Sequence, residues 1–368
     1  MTRKYLTKIN LSLIIFLGFF ILVACGQKPS TIGEGGKDSG KEQIIPSYII
    51  ADSTGDWGFP TPHGHYTRGP GALRVSFIFD TLIWKDEKGF KPSLAESWEY
   101  LEEENAYLFQ LQEGVKWHDG RNFTAQDVAF TFSYLKKHPY PMVDTSVIAG
   151  VEILDEFVIK IQLTQPQNSF LNRVAGSVPI LPKHIWENIE NPLEFIGQEG
   201  IIGTGPYKFG GYSREQGSYL YLANEDYYLG CPKVKEIKFV KLNPQVVGAA
   251  LSRGEINFAA IPPEMMGEFQ NQKMEVIKGN NDMVVKILFN HQRAPLEEIK
   301  FRRALAYAID RKEIVEIVKR GHGLIGSPGF VPPTSPWYNP NLPSYEYDPD
   351  RALKILQEIG FEFTENAL

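Results

Sequence analysis

Along most of the chain, apolar and polar positions alternate with the two-residue period of strands that bury one face. In NAYLFQLQ, Tyr107, Phe109 and Leu111 alternate with Leu108, Gln110 and Gln112. VEILDEFVIKIQL reads as a hairpin: Phe157, Ile159, Ile161 and Leu163 stand against Lys160 and Gln162, with a turn near Asp155. YKFGGYSREQGSYLYLA reads as a second hairpin, and QIIPSYIIADS, VKEIKFVKL and MVVKILF each read as one strand.

Helical spacing is rarer. Leu73, Phe77, Leu82 and Ile83 fall on or near one face of a segment that predicts a helix. Thr124 as N-cap and Asp127 three residues later predict a capping box before VAFTFSYLKK. FRRALAYAIDRKEIVEIVKRGHG predicts one long amphipathic helix, with Leu305, Ala308, Ile309, Ile314, Ile317 and Val318 apolar. A last helix has Asp348 as N-cap, Pro349 at its first position and Gly360 as its stop. Many antiparallel pairs with a few helices between them predict a mixed α/β fold, not a regular βαβ series. MVVKILF and the two last helices are too few elements to close a core of their own.

The N-terminus departs from both periods. Arg3, Lys4 and Lys8 precede an unbroken apolar run, Leu11 to Ala24, relieved only by Ser12. As a helix these 14 residues span roughly 21 Å, short of the ~30 Å hydrocarbon core of a bilayer. A charged start, a short apolar core and a small-residue end describe an export leader, residues 1–24, not a permanent span. Residues 25–42 are rich in glycine, hydroxyls and charge and read as a flexible linker. Leu22-Val23-Ala24-Cys25 resembles the bacterial lipobox, in which the cysteine takes a diacylglyceryl group and becomes the new N-terminus. Two acyl chains suffice to hold a soluble domain at a membrane. Cys25 and Cys231 are the only cysteines in 368 residues, so a lipidated Cys25 leaves Cys231, read as a small buried side chain, with no intrachain partner. The net charge is -6, and losing the leader's three cations makes the remainder more acidic, which excludes nucleic acid as a partner. No second apolar run approaches the length of a span.

Catalytic motifs are missing, and what resembles them has a plainer reading. His-Glu-x-x-His, Gly-x-Ser-x-Gly and the phosphate-loop pattern do not occur. In GTGPYKFGG, Pro206 removes an amide where a phosphate needs one, and the run continues as strand, so Gly203 and Gly205 read as a tight turn. WHDG, residues 117–120, sets His118 beside Asp119, but Asp119-Gly120 is a turn pair and adjacent residues do not aim at one atom. His63 and His65 lack a visible third ligand, so the pair reads as part of an exposed or cleft-lining polar loop, not a metal site. No catalytic residue, metal site or cofactor is expected.

A series of segments, in order along the chain, resembles the extracellular solute-binding proteins of peptide and nickel ABC importers (family 5, cluster C). They are LAESWEYLEEENAYLFQLQEGVKWHDGRNFTAQDVAFTF, GTGPYKF, NEDYYLGCPKVKEIKF, LSRGEINFA, FNHQRAPLEEIKFRRALAYAIDRKEIV and YDPDRALKILQEIGF, and the resemblance covers essentially all of residues 43 to 361. The resemblance implies a two-lobed periplasmic-binding-protein-like (type II) fold that binds a solute between its lobes and delivers it to a permease and its ATPases. It divides the chain into a base subdomain (43–85 and 201–282), an inserted subdomain (86–200) and the start of a second lobe (283–368). Members usually continue well past the last helix here, so the second lobe is expected to be incomplete. The expected function is capture of an oligopeptide or a nickel chelate by a lipoprotein on the extracytoplasmic face of the membrane. The alternatives are a truncated, non-transporting remnant or partner-binding lipoprotein, and a secreted hydrolase, for which no nucleophile and base assemble. In this family the loop after the first strand tends to face the cleft, and TGDWGFPTPHGHYTRGPG suits that task. Trp57 and Tyr66 offer flat faces with polar edges, His65 donates or accepts, and Arg68 can grip a carboxylate with two hydrogen bonds. Gly64, Gly69 and Gly71 let backbone approach a ligand. The plainer reading is a solvated loop with Arg68 in a local salt bridge.

Overall fold

The structure, a computed structural model, describes residues 44–362 except 68, 87, 142, 273, 280–283 and 336–337. The leader and the linker lie outside the described residues. Contacts divide the described chain into a unit ending at Val276 and a unit beginning at Ile277.

The first unit holds two four-stranded sheets. One runs in the order β1–β10–β9–β8, from Tyr48–Asp52 (β1), Tyr207–Ser213 (β8), Ser218–Ala223 (β9) and Glu236–Lys241 (β10). β1 pairs with β10 in parallel; the remaining pairs are antiparallel. The chain thus leaves this sheet after its first strand and returns more than 150 residues later. The other sheet runs β4–β5–β7–β6, from Ala95–Leu101 (β4), Ala106–Leu111 (β5), Ile148–Asp155 (β6) and Val158–Leu163 (β7), wholly antiparallel. Ile83–Asp86 (β2) and Gly89–Pro92 (β3) form a small ribbon. The alternation read in the sequence decides which faces are buried: Tyr107, Phe109 and Leu111 turn inward beside Ile159, Ile161 and Leu163. Helix Ala125–Lys137 starts where the capping box predicts. Thr124 Oγ1 accepts from the Gln126 amide, and Asp127 accepts from the Thr124 amide at 3.0 Å. One apolar core runs through both sheets and includes Phe79, Phe109, Trp117, Phe132, Trp186, Tyr207, Tyr221 and Phe239.

The segment Phe77–Ile78 crosses the turn Gly203–Tyr207 at the junction of this core. The Gly205 amide donates to Ile78 O at 2.8 Å and the Tyr207 amide to Phe77 O at 2.9 Å. The approach is so close that a Cβ on Gly203 would stand 1.9 Å from Ile78 O. His118 clamps the turn from the second sheet's side. Its Nε2 donates to Gly205 O at 2.9 Å, its Nδ1 accepts from the Gly203 amide at 3.4 Å, and its own amide donates to Gly203 O at 2.8 Å. Burial pushes its pKa down to about 4, so the imidazole is neutral and can both donate and accept. WHDG and GTGPYKF are therefore two halves of one structural joint. Asp119 is also engaged, 2.8 Å from His184 Nε2.

The sequence reading of the elements needs three corrections, two helices and one strand. The early helix is one short turn, Gly71–Val75, and Ile83 opens β2. The expected long helix is two, Ile299–Ala308 and Arg311–Ile317: Ile309 is extended, and Asp310 accepts from the Glu313 amide at 2.9 Å, starting a new helix by capping. MVVKILF forms no ladder at its described positions, where Val285, Ile287 and Leu288 are exposed. Alternation makes a strand only where a neighbour takes up the backbone hydrogen bonds. Within the second unit, helix Pro349–Glu358, capped by Asp348, packs on Ile299–Ala308 around Ala304, Tyr307 and Ala352. Arg351 stands 4.3 Å over the Tyr307 ring.

Asp80 supplies a pH test of the joint. It accepts from Thr204 Oγ1 at 3.1 Å and Tyr227 OH at 3.2 Å. Burial lifts its pKa to about 6 against these hydrogen bonds. An unfolded carboxyl titrates near pH ~3.9, so the folded state holds its proton to higher pH. That contribution is complete below the unfolded pKa and is lost as pH rises through the folded one. In urea titrations the stability margin of the parent over Asp80→Asn should shrink by about 2 kcal/mol between about pH 4 and pH 7.5. A margin constant across this range would contradict the buried ionisation.

Candidate functional site

The loop after β1 is built by two aspartates. Asp52, the last residue of β1, folds the chain back with Oδ1, which accepts from the amides of Thr54 at 2.9 Å and Gly55 at 3.3 Å. Its Oδ2 accepts from Trp57 Nε1 at 2.6 Å and from Arg74 Nη2 at 2.8 Å. Arg74 is 1% exposed, and its guanidinium lies 3.4 Å from the Phe239 ring centroid and 5.2 Å from that of Tyr219. Burial lowers its pKa, and Asp52 works against that fall. A single buried ion pair thus ties the end of β1, the Trp57 indole and the helix Gly71–Val75 together.

Asp56 organises the outer half. Its Oδ1 accepts from the Gly58 amide at 3.0 Å and Tyr212 OH at 2.7 Å; its Oδ2 accepts from Tyr66 OH at 2.9 Å and lies 3.7 Å from Arg214 Nε. Tyr219 OH bridges the base, accepting from the Trp57 amide at 2.7 Å and donating to Gly58 O at 2.8 Å. The return strand closes on the outgoing one through Tyr66 N to Trp57 O at 2.8 Å. Gly69, at φ +69°, lies flat against Trp57; a Cβ there would stand 2.5 Å from the indole.

The four expected contact residues are placed differently. Tyr66 is 40% exposed and Trp57 half-buried on its Asp52 anchor. His65 is 5% exposed, donating from Nδ1 to Thr61 O at 3.1 Å with its ring near Tyr140. Arg68 lies outside the described residues, as does Cys25. His63 is also buried, bonded through Nε2 to His138 O at 3.1 Å among Tyr134, Tyr140 and Trp186. Desolvation lowers the pKa of both histidines, so they are neutral wedges under the loop and not the exposed polar pair their surroundings in sequence suggest. Among the described residues no group of three or more His, Cys, Asp or Glu is placed to hold a metal ion. Cys231 is half-buried, with Lys235 Nζ at 3.8 Å from its sulfur.

Sequence reasoning missed Asp56, Arg74, Tyr212, Tyr219 and Arg214. Three of them sit on the β8–β9 hairpin, about 150 residues away, and only the sheet order brings them to the loop. Asp52 and Asp56, four apart around a glycine, were the one local signal.

Comparison with known proteins gives a consistent result. The description "Bacterial extracellular solute-binding proteins, family 5 Middle" matches residues 89–367. The oligopeptide-binding protein AppA of Bacillus subtilis strain 168 is 31% identical, across 99% of this chain and 68% of its own length. Its structure with a nonapeptide superposes with a TM-score of 0.70 at 27% identity, covering 89% of this chain and 66% of that one. NikZ from Campylobacter jejuni, solved with Ni(L-His), superposes with a TM-score of 0.73 at 28% identity, covering 87% of this chain and 64% of that one. The chain spans about two thirds of the length of these relatives, and its fold is the mixed α/β fold of the two-lobed periplasmic binding proteins.

The ion pair under the loop makes a direct prediction. Asp52→Ala leaves Arg74 buried without a counter-charge and should lower stability by about 3–5 kcal/mol. Adding Arg74→Met to that variant should cost less than Arg74→Met costs alone, because the stranded charge is gone. Denaturant titrations of the four proteins check this, and strictly additive losses would show that the two side chains do not act as a pair.

Proposed function

The chain belongs to the bacterial extracellular solute-binding proteins of family 5, and we propose that it captures a small solute outside the cytoplasm for an ABC importer. The family match over residues 89–367 carries this reading. The solutes are of the kind its relatives are named for: oligopeptides, as for AppA, or a nickel–histidine complex, as in the NikZ structure. No chemical step belongs to this task. His118, the imidazole that might have served as a base, is spent on backbone groups of the joint, in keeping with a receptor and not a hydrolase.

Solute contact falls to the loop after β1. Tyr66 presents an exposed phenol, Trp57 a half-buried indole and Arg68 a charge for a carboxylate, while the buried His65 sits beneath. Delivery requires the receptor to stay near its permease. A diacylglyceryl group on Cys25 would hold it at the extracytoplasmic face of the membrane, with residues 26–42 as tether.

One set of preparations tests both parts. Calorimetry on the purified chain should show binding of trialanine or of nickel–histidine, weakened about tenfold or more by Tyr66→Ala or Trp57→Ala. Affinity unchanged in both variants would remove the loop from the site. During expression, labelled fatty acid should enter the parent and not Cys25→Ala; equal labelling of both would end the anchoring proposal.

A further inference from the structure

Asp56 holds two phenols by their protons. Tyr212 OH donates to its Oδ1 at 2.7 Å and Tyr66 OH to its Oδ2 at 2.9 Å. Partial burial opposes ionisation of Asp56, but the hydrogen bonds from Tyr212, the Gly58 amide and Tyr66 outweigh it and hold the carboxyl below its usual range. An ionised carboxylate accepts and cannot donate, and a phenol has one proton. Both phenol protons are therefore committed inward, and whatever hydrogen-bonding capacity Tyr66 and Tyr212 retain consists of lone pairs.

Packing fixes the Tyr212 ring, and a strand bridge fixes the backbone next to Tyr66. Tyr212 is fixed by Phe59, edge-on at 5.7 Å, and by Tyr219 at 5.0 Å. Tyr66 follows directly on the bridge that joins Gly58 to His65. Arg214 is the cation beside the cluster; its side chain is 79% exposed, with Nε at 3.7 Å from Asp56. Arg214 is the weakest of the influences that lower the Asp56 pKa, and it also approaches Tyr66 OH; the phenol oxygens therefore discriminate by having no proton left to donate, not by balanced charge.

We propose that Tyr66 and Tyr212, oriented by Asp56, form an acceptor-only subsite that takes an N–H group of the solute, amide or ammonium, and turns away a carboxylate. Asp56 is the positioning residue: it sets the polarity of the two hydroxyls without touching the solute. The subsite rests on the solute-binding reading and specifies which group of a peptide-like solute meets Tyr66 and Tyr212, leaving a carboxylate to Arg68.

The test is a cycle between protein hydroxyls and ligand N–H groups, run by calorimetry on the full chain. The probes are trialanine, trialanine with each amide nitrogen methylated in turn, and trialanine with its ammonium trimethylated; nickel–histidine is a second probe. One donor-less analogue should bind the parent about tenfold more weakly than trialanine. That gap should close to about twofold in Tyr66→Phe or Tyr212→Phe. Asp56→Asn, whose amide donates back to one phenol, should also close it. Thermal melts establish that each variant is folded, and because the readout is a ratio between probes, a general loss of affinity does not mimic it. A gap that persists in both Phe variants, or no gap in the parent, overturns the subsite while solute capture stands. A parent that binds neither trialanine nor nickel–histidine overturns solute capture itself, and the subsite with it.

Discussion

The crossing of Phe77–Ile78 over Gly203–Tyr207 is the contact on which the first unit depends. The chain leaves its first sheet after β1 and comes back only at β8. The point of return is fixed by two backbone hydrogen bonds to Ile78 and Phe77 and by His118 reaching over from the turn after β5. Only glycine fits at 203, where any side chain would meet the Ile78 carbonyl. The same segment continues back through the helix Gly71–Val75 into the loop that carries Trp57 and Tyr66. The position of that loop is thus set at both ends, by β1 within the sheet and by the crossing.

This arrangement gives the motifs that look chemical a structural task among the described residues. An imidazole that must donate to one carbonyl and accept from one amide has no capacity left for a substrate proton. The glycines of GTGPYKF permit close approach of backbone to backbone, not of backbone to phosphate. The same frame holds the aromatic and acidic loop after β1, the segment proposed above to meet a solute. Recognition needs preorganised groups more than reactive ones.

Where the determinants were local, the sequence showed them clearly. The strands of both hairpins, the capping box at Thr124 and Asp127, and the Asp348–Pro349 helix start each rest on a few neighbouring residues, and each stands where it was read. The breaks were subtler. Asp310 splits the expected long helix because a carboxylate can cap as easily as it can decorate a surface, and periodicity does not distinguish the two. MVVKILF has the right alternation and no partner strand among the described residues. The candidate site was half legible. Tyr66 and Trp57 could be nominated from composition, but Asp56, Tyr212 and Arg214 assemble through sheet order, and His65 is drawn inside by Tyr140 and Thr61.

The most direct test of the joint is the stability of Gly203→Ala against Gly211→Ala, read by urea titration of the first unit's tryptophan fluorescence. A Cβ at 203 would stand 1.9 Å from Ile78 O, whereas one at 211 has its nearest neighbour at 4.0 Å. The account predicts a loss of about 3 kcal/mol or more for Gly203→Ala and within about 1 kcal/mol of the parent for Gly211→Ala. Equal stability of the two variants would contradict it.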